Sequence, residues 1–383
     1  MIRVLVPREC RSGETRVAAT PETVKRLAAR GCALTVEQGA GLASGFDDEA
    51  YREAGAALVD PGDGSAQHWS QVDVVLAVQA AALAQQRQEL KALRPGALLL
   101  GLLEPHGNEG LKQQLQQQQI SSLSLELLPR ISRAQTMDVL SSQANIAGYK
   151  AVLLASAALD RYVPMLMTAA GTIQPARALI LGAGVAGLQA LATARRLGAV
   201  VYVSDVRAAA KEQVESLGGR FIDPPEQEQK PGESGGYAKQ ATDAFLAEQR
   251  RQLTEQLALA DMVICTAQVP GRPAPRLIDD AMLQHMRAGS VVVDLAVAQG
   301  GNCEGSQPGA TVVRHGVQLI GADALPCTVP NHASALYARN VAALLEHLLA
   351  ASGSEPTALS LDLEDPIVSG CLFTHANAAG GAA

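Results

Sequence analysis

The run ARALILGAGVAGLQALATARRLGAVVYVSDVR, residues 176–207, leaves a chain little freedom in how to fold. Ala178 to Leu181 has the unbroken apolar pattern of a strand buried on both faces, and Gly182, Gly184 and Gly187 follow as GxGxxG. A helix is predicted from about Val185 to Leu197, and a second strand ends at Asp205. Gly182 permits the tight turn, Gly184 lets the backbone approach a pyrophosphate, and Gly187 lets the helix pack closely on the strand. The free helix N-terminus then holds phosphate, with Val185 and Ala186 at its first positions. Asp205 stands about twenty residues on, where a carboxylate accepts hydrogen bonds from both ribose hydroxyls and repels a 2′-phosphate. NAD(H) is therefore expected rather than NADP(H), with Val206 and Arg207 as further contacts; the charge of Arg207 weighs slightly the other way.

Two later runs, ADMVICTAQVPGRPAP and GSVVVDLAVAQGGN, read as buried strands that end in loops of small and polar residues. In a doubly wound sheet such ends border the cofactor crevice, which makes Thr266, Ala267, Pro270, Asp294 and Leu295 candidate contacts. The N-terminal part has the same alternation: IRVLV, TPETVKRLAARG, CALTVEQ, then VDVVLAV and GALLLGLL with helical segments between them. Alternating strands and helices indicate parallel sheets covered on both faces. At 383 residues and 48% hydrophobic the chain suffices for two ordinary cores, so two α/β domains are expected. The first helix is well signalled, with Thr20 as N-cap, Pro21 in its first turn and Gly31 just past its end. KQQLQQQQ is short, sits between Leu111, Leu115 and a β-like ISSLSLELL, and reads as a solvated helix face rather than low-complexity disorder. Toward the C-terminus an amphipathic helix, ALYARNVAALLEHLLAA, is followed by two β-like runs.

Charge and composition exclude several classes of function. The net charge is −7 and the basic residues are scattered, so the positive field that holds nucleic acid is missing. The longest nearly apolar run, Ala178 to Ala194, is shorter than the roughly 20 residues a bilayer requires and contains Gln189, so no direct membrane insertion is expected. MIRVLVPREC lacks the apolar core of a secretory leader and reads as the first strand of a cytosolic protein. Six widely spaced cysteines, without a CxxC pair, are expected to be buried free thiols, and no metal is expected.

Between two apolar runs lies RISRAQTMDVLSSQ, residues 130–143. Taken as one helix, it puts Gln135, Asp138, Ser142 and Asn145 on a polar face and Met137, Leu140, Ala144 and Ala147 on an apolar one. Periodicity alone accepts a solvent-facing surface equally well. Arg130 and Arg133, however, precede the helix and oppose its macrodipole, at a cost of roughly 0.3–1 kcal/mol, which points to a compensating ligand or partner. The segment VPMLMTAAGTIQPARA reads as a hairpin about Gly171 and Thr172 whose apolar Met165, Leu166 and Met167 suit a subunit interface. Residues 223–241, rich in Pro, Gly, Glu and Gln, are expected to form a mobile loop ending near Tyr237, which either anchors the loop or closes it over a ligand.

Taken together, PRECRSGETRVAATPETVKRL, PRISRAQTMDVLSSQANIAGYKA, GAGVAGLQALATARRLGA, GGYAK, PGRPAPRLI and SVVVDLAVAQGGNC are specific. Over nearly its whole length the chain resembles the NAD(H)-binding domain I of proton-translocating NAD(P)+ transhydrogenases, in the wider family that includes alanine dehydrogenase. The resemblance implies two doubly wound domains: a discontinuous flavodoxin-like domain over residues 1–136, completed by 326–383, and an inserted Rossmann domain over 137–325. It implies a homodimer on the cytoplasmic face of a bacterial inner membrane. Separate membrane-spanning and NADP(H)-binding components would complete the enzyme, with NADP(H) held only on the partner component.

By the same resemblance Arg130, Gln135, Asp138 and Ser141 hold the nicotinamide end of NAD(H) and meet NADP+. Tyr237, with Gly235 and Gly236 as hinge, would close the loop over the nucleotide, and on sequence alone an anchoring role is as good a reading. Hydride passing between two nicotinamides exchanges no proton with the protein, so such a site needs orientation rather than an acid and a base. Alanine dehydrogenase uses a Lys and a His where this chain has Ala77 and Leu102. Amino-acid oxidation requires titratable groups there, which speaks against that chemistry. Two alternatives remain from the sequence: an amino-acid dehydrogenase of the same fold, and a non-catalytic NAD(H)-binding scaffold.

Overall fold

Short β-branched and leucine-rich runs form sixteen strands among the residues that the computed structural model describes, which are 1–61, 65–225, 243–269, 271–351, 359 and 361–376. In chain order they are β1 (Ile2–Val6), β2 (Cys32–Glu37), β3 (Ala57–Val59), β4 (Val74–Leu76), β5 (Leu98–Gly101), β6 (Ser121–Ser124), β7 (Leu166–Thr168), β8 (Gly171–Ile173), β9 (Arg177–Leu181), β10 (Val200–Ser204), β11 (Arg220–Ile222), β12 (Met262–Cys265), β13 (Val291–Asp294), β14 (Thr311–Arg314), β15 (Val317–Gly321) and β16 (Leu372–Thr374). The chain divides into two compact units, Met1–Gln143 with Pro326–Ala383, and Ala144–Leu325. That division falls inside the helix Val139–Ala158, a few residues beyond the start of the helix.

The first unit is built on a sheet of order β16-β6-β5-β4-β1-β2-β3, parallel except for β16. Val4, Val6, Val74, Leu76, Leu98 and Leu100 are buried in one core, as expected of strands covered on both faces. The expected doubly wound architecture is present. From β3 to β6 the order runs 3-2-1-4-5-6, the Rossmann order, because β2 and β3 add outward from β1 before the chain crosses back to β4. Thr20 caps the helix Pro21–Ala28 in a reciprocal box: its amide donates to Thr23 Oγ1 at 2.9 Å, and its own Oγ1 accepts from the Thr23 amide at 3.5 Å. Leu111 and Leu115 are buried by the glutamine-faced helix Glu109–Gln117.

At the C-terminus the second β-like run is mostly not a strand. Pro366 presets the first turn and Asp365 accepts from the Ile367 amide at 3.0 Å, so Pro366–Cys371 is a short helix and only β16 follows as a strand. The described residues of the run before it, Leu359 and Leu361, form no strand.

The second unit carries a sheet of order β11-β10-β9-β12-β13-β15-β14, parallel except for the edge strand β14. Its chain order reverses at β9, which pairs with β10 on one side and β12 on the other. The C-terminal ends lie in register: Leu181 pairs with Ser204 and Cys265, and Cys265 with Asp294. The expected hairpin is present as antiparallel β7 and β8, with Met165 and Met167 exposed and Leu166 half-buried. The cysteines are free; five are buried and Cys10 is partly exposed. Among the described residues no helix is long and apolar enough to cross a membrane.

Candidate functional site

The glycine turn sits at the switch point of the second unit, where β9 gives way to the helix Val185–Arg196. Gly182 has φ +105°, a left-handed conformation, and a Cβ there would stand 2.6 Å from Thr266 Oγ1. A Cβ on Gly187 would lie 1.8 Å from the carbonyl oxygen of Gly182, so only glycine lets the helix start this close to the strand. At Gly184 a Cβ would meet nothing within 4 Å; the space beside this N-cap is open, as an approaching phosphate requires. The first amides of the helix, from Val185 onward, lack intrahelical acceptors by construction and face that space with the positive end of the helix dipole. These residues fit a dinucleotide.

Asp205 follows β10 and is already engaged. Its Oδ2 accepts from the Ala183 amide at 2.7 Å and from Arg207 Nη2 at 3.0 Å, and its Oδ1 accepts from the Arg207 amide at 2.8 Å and Nε at 3.0 Å. Burial raises the Asp205 pKa, but the Arg207 guanidinium and the two amides outweigh it and hold the carboxyl below its ordinary value. The Asp205 side chain is 7% exposed and that of Arg207 61%, so a ligand hydroxyl would gain these carboxylate oxygens only if the guanidinium moved. Val185 and Val206 are exposed apolar side chains beside the same strand ends.

Thr266 follows β12 and bonds the carbonyls of Leu181 and Gly182 through its hydroxyl, both at 3.1 Å. Ala267 is pinned by Asn302, whose side chain accepts from its amide at 3.1 Å and donates to its carbonyl at 2.8 Å. The Leu295 carbonyl accepts from Gln268 Nε2 at 2.7 Å. Asp294 is fully buried, and its carboxylate accepts the Ala296 and Cys303 amides at 2.9 and 3.0 Å. Its charge is spent on shaping the loop after β13. Gly236, Tyr237 and Pro270 lie outside the described residues.

Two contributors escaped the sequence reading. Asn302 carries no local motif. Gly148 did leave a signal, a glycine inside a helical run; a Cβ there would stand 2.1 Å from the Ala186 carbonyl, so the long helix approaches the start of the nucleotide helix only as glycine.

In the first unit the polar segment is not one helix. Ser132–Met137 is a 3-10 turn, Asp138 is extended (φ −75°, ψ 90°), and the α-helix begins at Val139. The break at Asp138 shifts the phase, so Ala134, Met137, Val139, Gln143 and Ile146 are buried while Leu140, expected on the apolar face, is exposed. Asp138 acts as the cap: Oδ1 accepts the Ser141 amide at 2.9 Å and Oδ2 its hydroxyl at 2.6 Å. Arg133 pairs with Asp365 at 3.4 Å, which removes it from the argument for an external anion. Arg130 and Gln135 are exposed.

Residues 5–147 match the family described as alanine dehydrogenase/PNT, N-terminal domain, and residues 151–379 its C-terminal domain. The chain belongs to the alanine dehydrogenase/PNT family. It is 46% identical to NAD(P) transhydrogenase subunit alpha (first part) of Rhodospirillum rubrum, over 98% of this chain and 96% of that protein. Among solved structures it resembles a transhydrogenase from Sinorhizobium meliloti with a TM-score of 0.85 and 42% identity, over 98% and 99% of the two chains. An L-alanine dehydrogenase structure is similar at a TM-score of 0.76 and 26% identity, over 98% and 96%. These similarities support NAD(H) binding and the role of a transhydrogenase component.

Proposed function

We propose that this protein is the NAD(H)-binding component of a proton-translocating transhydrogenase. It passes hydride directly between its own NADH and NADP+ bound on a partner component. The similarity to the Rhodospirillum rubrum transhydrogenase subunit alpha along nearly the whole of both chains carries the reading. In it the second unit holds the adenosine and pyrophosphate: helix amides at Val185 to Gly187 take phosphate, and Asp205 takes the ribose after Arg207 swings away. Thr266, Ala267 and Leu295 shape the strand ends.

Arg130, Gln135, Asp138 and Ser141 orient the nicotinamide. NAD(H) supplies the hydride; the residues supply geometry and hydrogen bonds to the carboxamide. Ala77 is buried and apolar beyond β4, and Leu102 is half-buried beyond β5, so neither supplies an acid or base for amino-acid chemistry. The component works as a homodimer, through the exposed β7-β8 hairpin, on the cytoplasmic face of a bacterial inner membrane with membrane-spanning subunits.

The test mixes the purified protein with a transhydrogenase NADP(H)-binding component, NADH and an oxidised NADP analogue. Hydride transfer is expected; its absence overturns the reading. Alanine with NAD+ and no partner is expected to give no NADH, and NADH formation there establishes an amino-acid dehydrogenase instead.

A further inference from the structure

Two polar side chains that are nine-tenths buried, Arg16 and Gln143, lie outside the site described above yet meet within a turn of it. Arg16 Nε and Nη2 donate to the two carboxylate oxygens of Glu14, each at 2.7 Å, and Nη1 donates to Gln143 Oε1 at 3.0 Å. The Gln143 amide donates to the Ala333 carbonyl at 3.1 Å and to Ser142 Oγ at 3.3 Å. Glu14 is fixed in turn by Gln79 Nε2 at 3.0 Å. A buried polar chain within the first unit thus joins the N-terminal loop, the first turns of the helix Val139–Ala158 and the start of the helix Pro330–Ala351.

A buried ion pair carries a desolvation cost that apolar residues of the same volume avoid. What it offers instead is direction, since a planar guanidinium fixes the angle of each bond as well as its length. Here the third arm of Arg16 aims at Gln143, on the same helical turns as Ser141, which bonds Asp138 through both amide and hydroxyl.

We propose that Arg16 and Gln143 are positioning residues for hydride transfer: through Gln143, the Arg16–Glu14 pair sets the angle of the turn that presents Asp138 and Ser141. The proposal rests on the reading that Asp138 and Ser141 orient the nicotinamide. A displacement of about 1 Å is enough to slow such a transfer about 100-fold. Affinity for the nucleotide, which the second unit carries through phosphate and ribose, is unaffected.

Three variants are compared with the unaltered protein in single-turnover transfer with the NADP(H)-binding component and in NADH titration. Gln143→Leu keeps the volume and removes all three bonds. It is expected to lower the transfer rate about 10- to 100-fold with the NADH Kd within about 3-fold. Gln143→Glu, which still accepts from Arg16, is expected to recover most of the rate. If Gln143→Leu fails to fold, Arg16→Lys is read instead, because it keeps a charge on Glu14 while losing the arm to Gln143; a lower rate at unchanged Kd is again expected. Ser141→Ala separates the two claims. A slower Ser141→Ala beside an unchanged Gln143→Leu or Arg16→Lys overturns the positioning role alone. An unchanged Ser141→Ala, or no transfer by the unaltered protein, overturns the reading beneath it and the proposal together.

Discussion

Arg207 holds Asp205 by its backbone amide and by two side-chain bonds, and only the latter pair can yield to a ligand. Asp205→Ala is expected to weaken NADH binding by about 1–3 kcal/mol through lost charged hydrogen bonds, measured by fluorescence titration; unchanged affinity means that the ribose is held elsewhere. A second residue-scale consequence concerns two carboxyls in the N-terminal loop, which line a cavity of about 260 Å³ with Arg8 and Arg16. Burial pushes the Glu9 pKa up to about 7, against the Val78 and Gln79 amides that favour its charge. For Glu14 burial also pulls upward, but the Arg16 guanidinium, with help from Gln79, brings it down to about 2.

The two carboxyls act in opposite senses. Folded Glu9 binds its proton more tightly than the unfolded chain does, so its contribution is full below about pH 4.5 and is lost as pH rises through about 7. Glu14 contributes above about pH 4.5 and loses that contribution as pH falls toward about 2. Denaturant unfolding across pH should therefore show Glu9→Gln losing, relative to the unaltered protein, the decline of stability between about pH 5 and 7.5, worth on the order of 1–3 kcal/mol. An identical decline in both proteins contradicts the assignment.

At the scale of elements, the nucleotide turn was legible because three glycines, two strands and a terminal acid each state one requirement, and the structure shows what two of the glycines avoid. Gly187→Ala is expected to force the helix off the strand and destabilise the protein by about 1–3 kcal/mol, read as the midpoint of urea unfolding; a midpoint unchanged within error shows that the turn relaxes freely. The polar segment was less legible. Its residues were singled out, but a helical wheel assumes one phase, and the Asp138 side chain takes the Ser141 amide and restarts the helix in another. The same competition between side chain and backbone turned the run after Asp365 into a helix. The loop bonds of Asp294 were not legible either: nothing in VVVDLAV announces that its carboxylate takes the Ala296 and Cys303 amides.

At the scale of the whole molecule, strand and helix alternation specified two doubly wound units, whereas strand order in the first depended on pairings between distant segments that no local pattern encodes. The hairpin leaves Met165, Met167 and Ile173 exposed, an apolar surface that the proposed homodimer would cover. If the proposed homodimer uses this hairpin, Met167→Glu shifts it toward monomer in sedimentation; an unchanged dimer places the interface elsewhere, and a monomeric unaltered protein contradicts the homodimer. Direct hydride transfer that exchanges no proton with protein or water is tested by single turnover with NADH deuterated at the transferred C4 position. The deuterium is expected at C4 of the reduced NADP analogue, with a slowed transfer and no loss of label. Appearance of the label in water, or solvent hydrogen at that carbon, contradicts direct transfer.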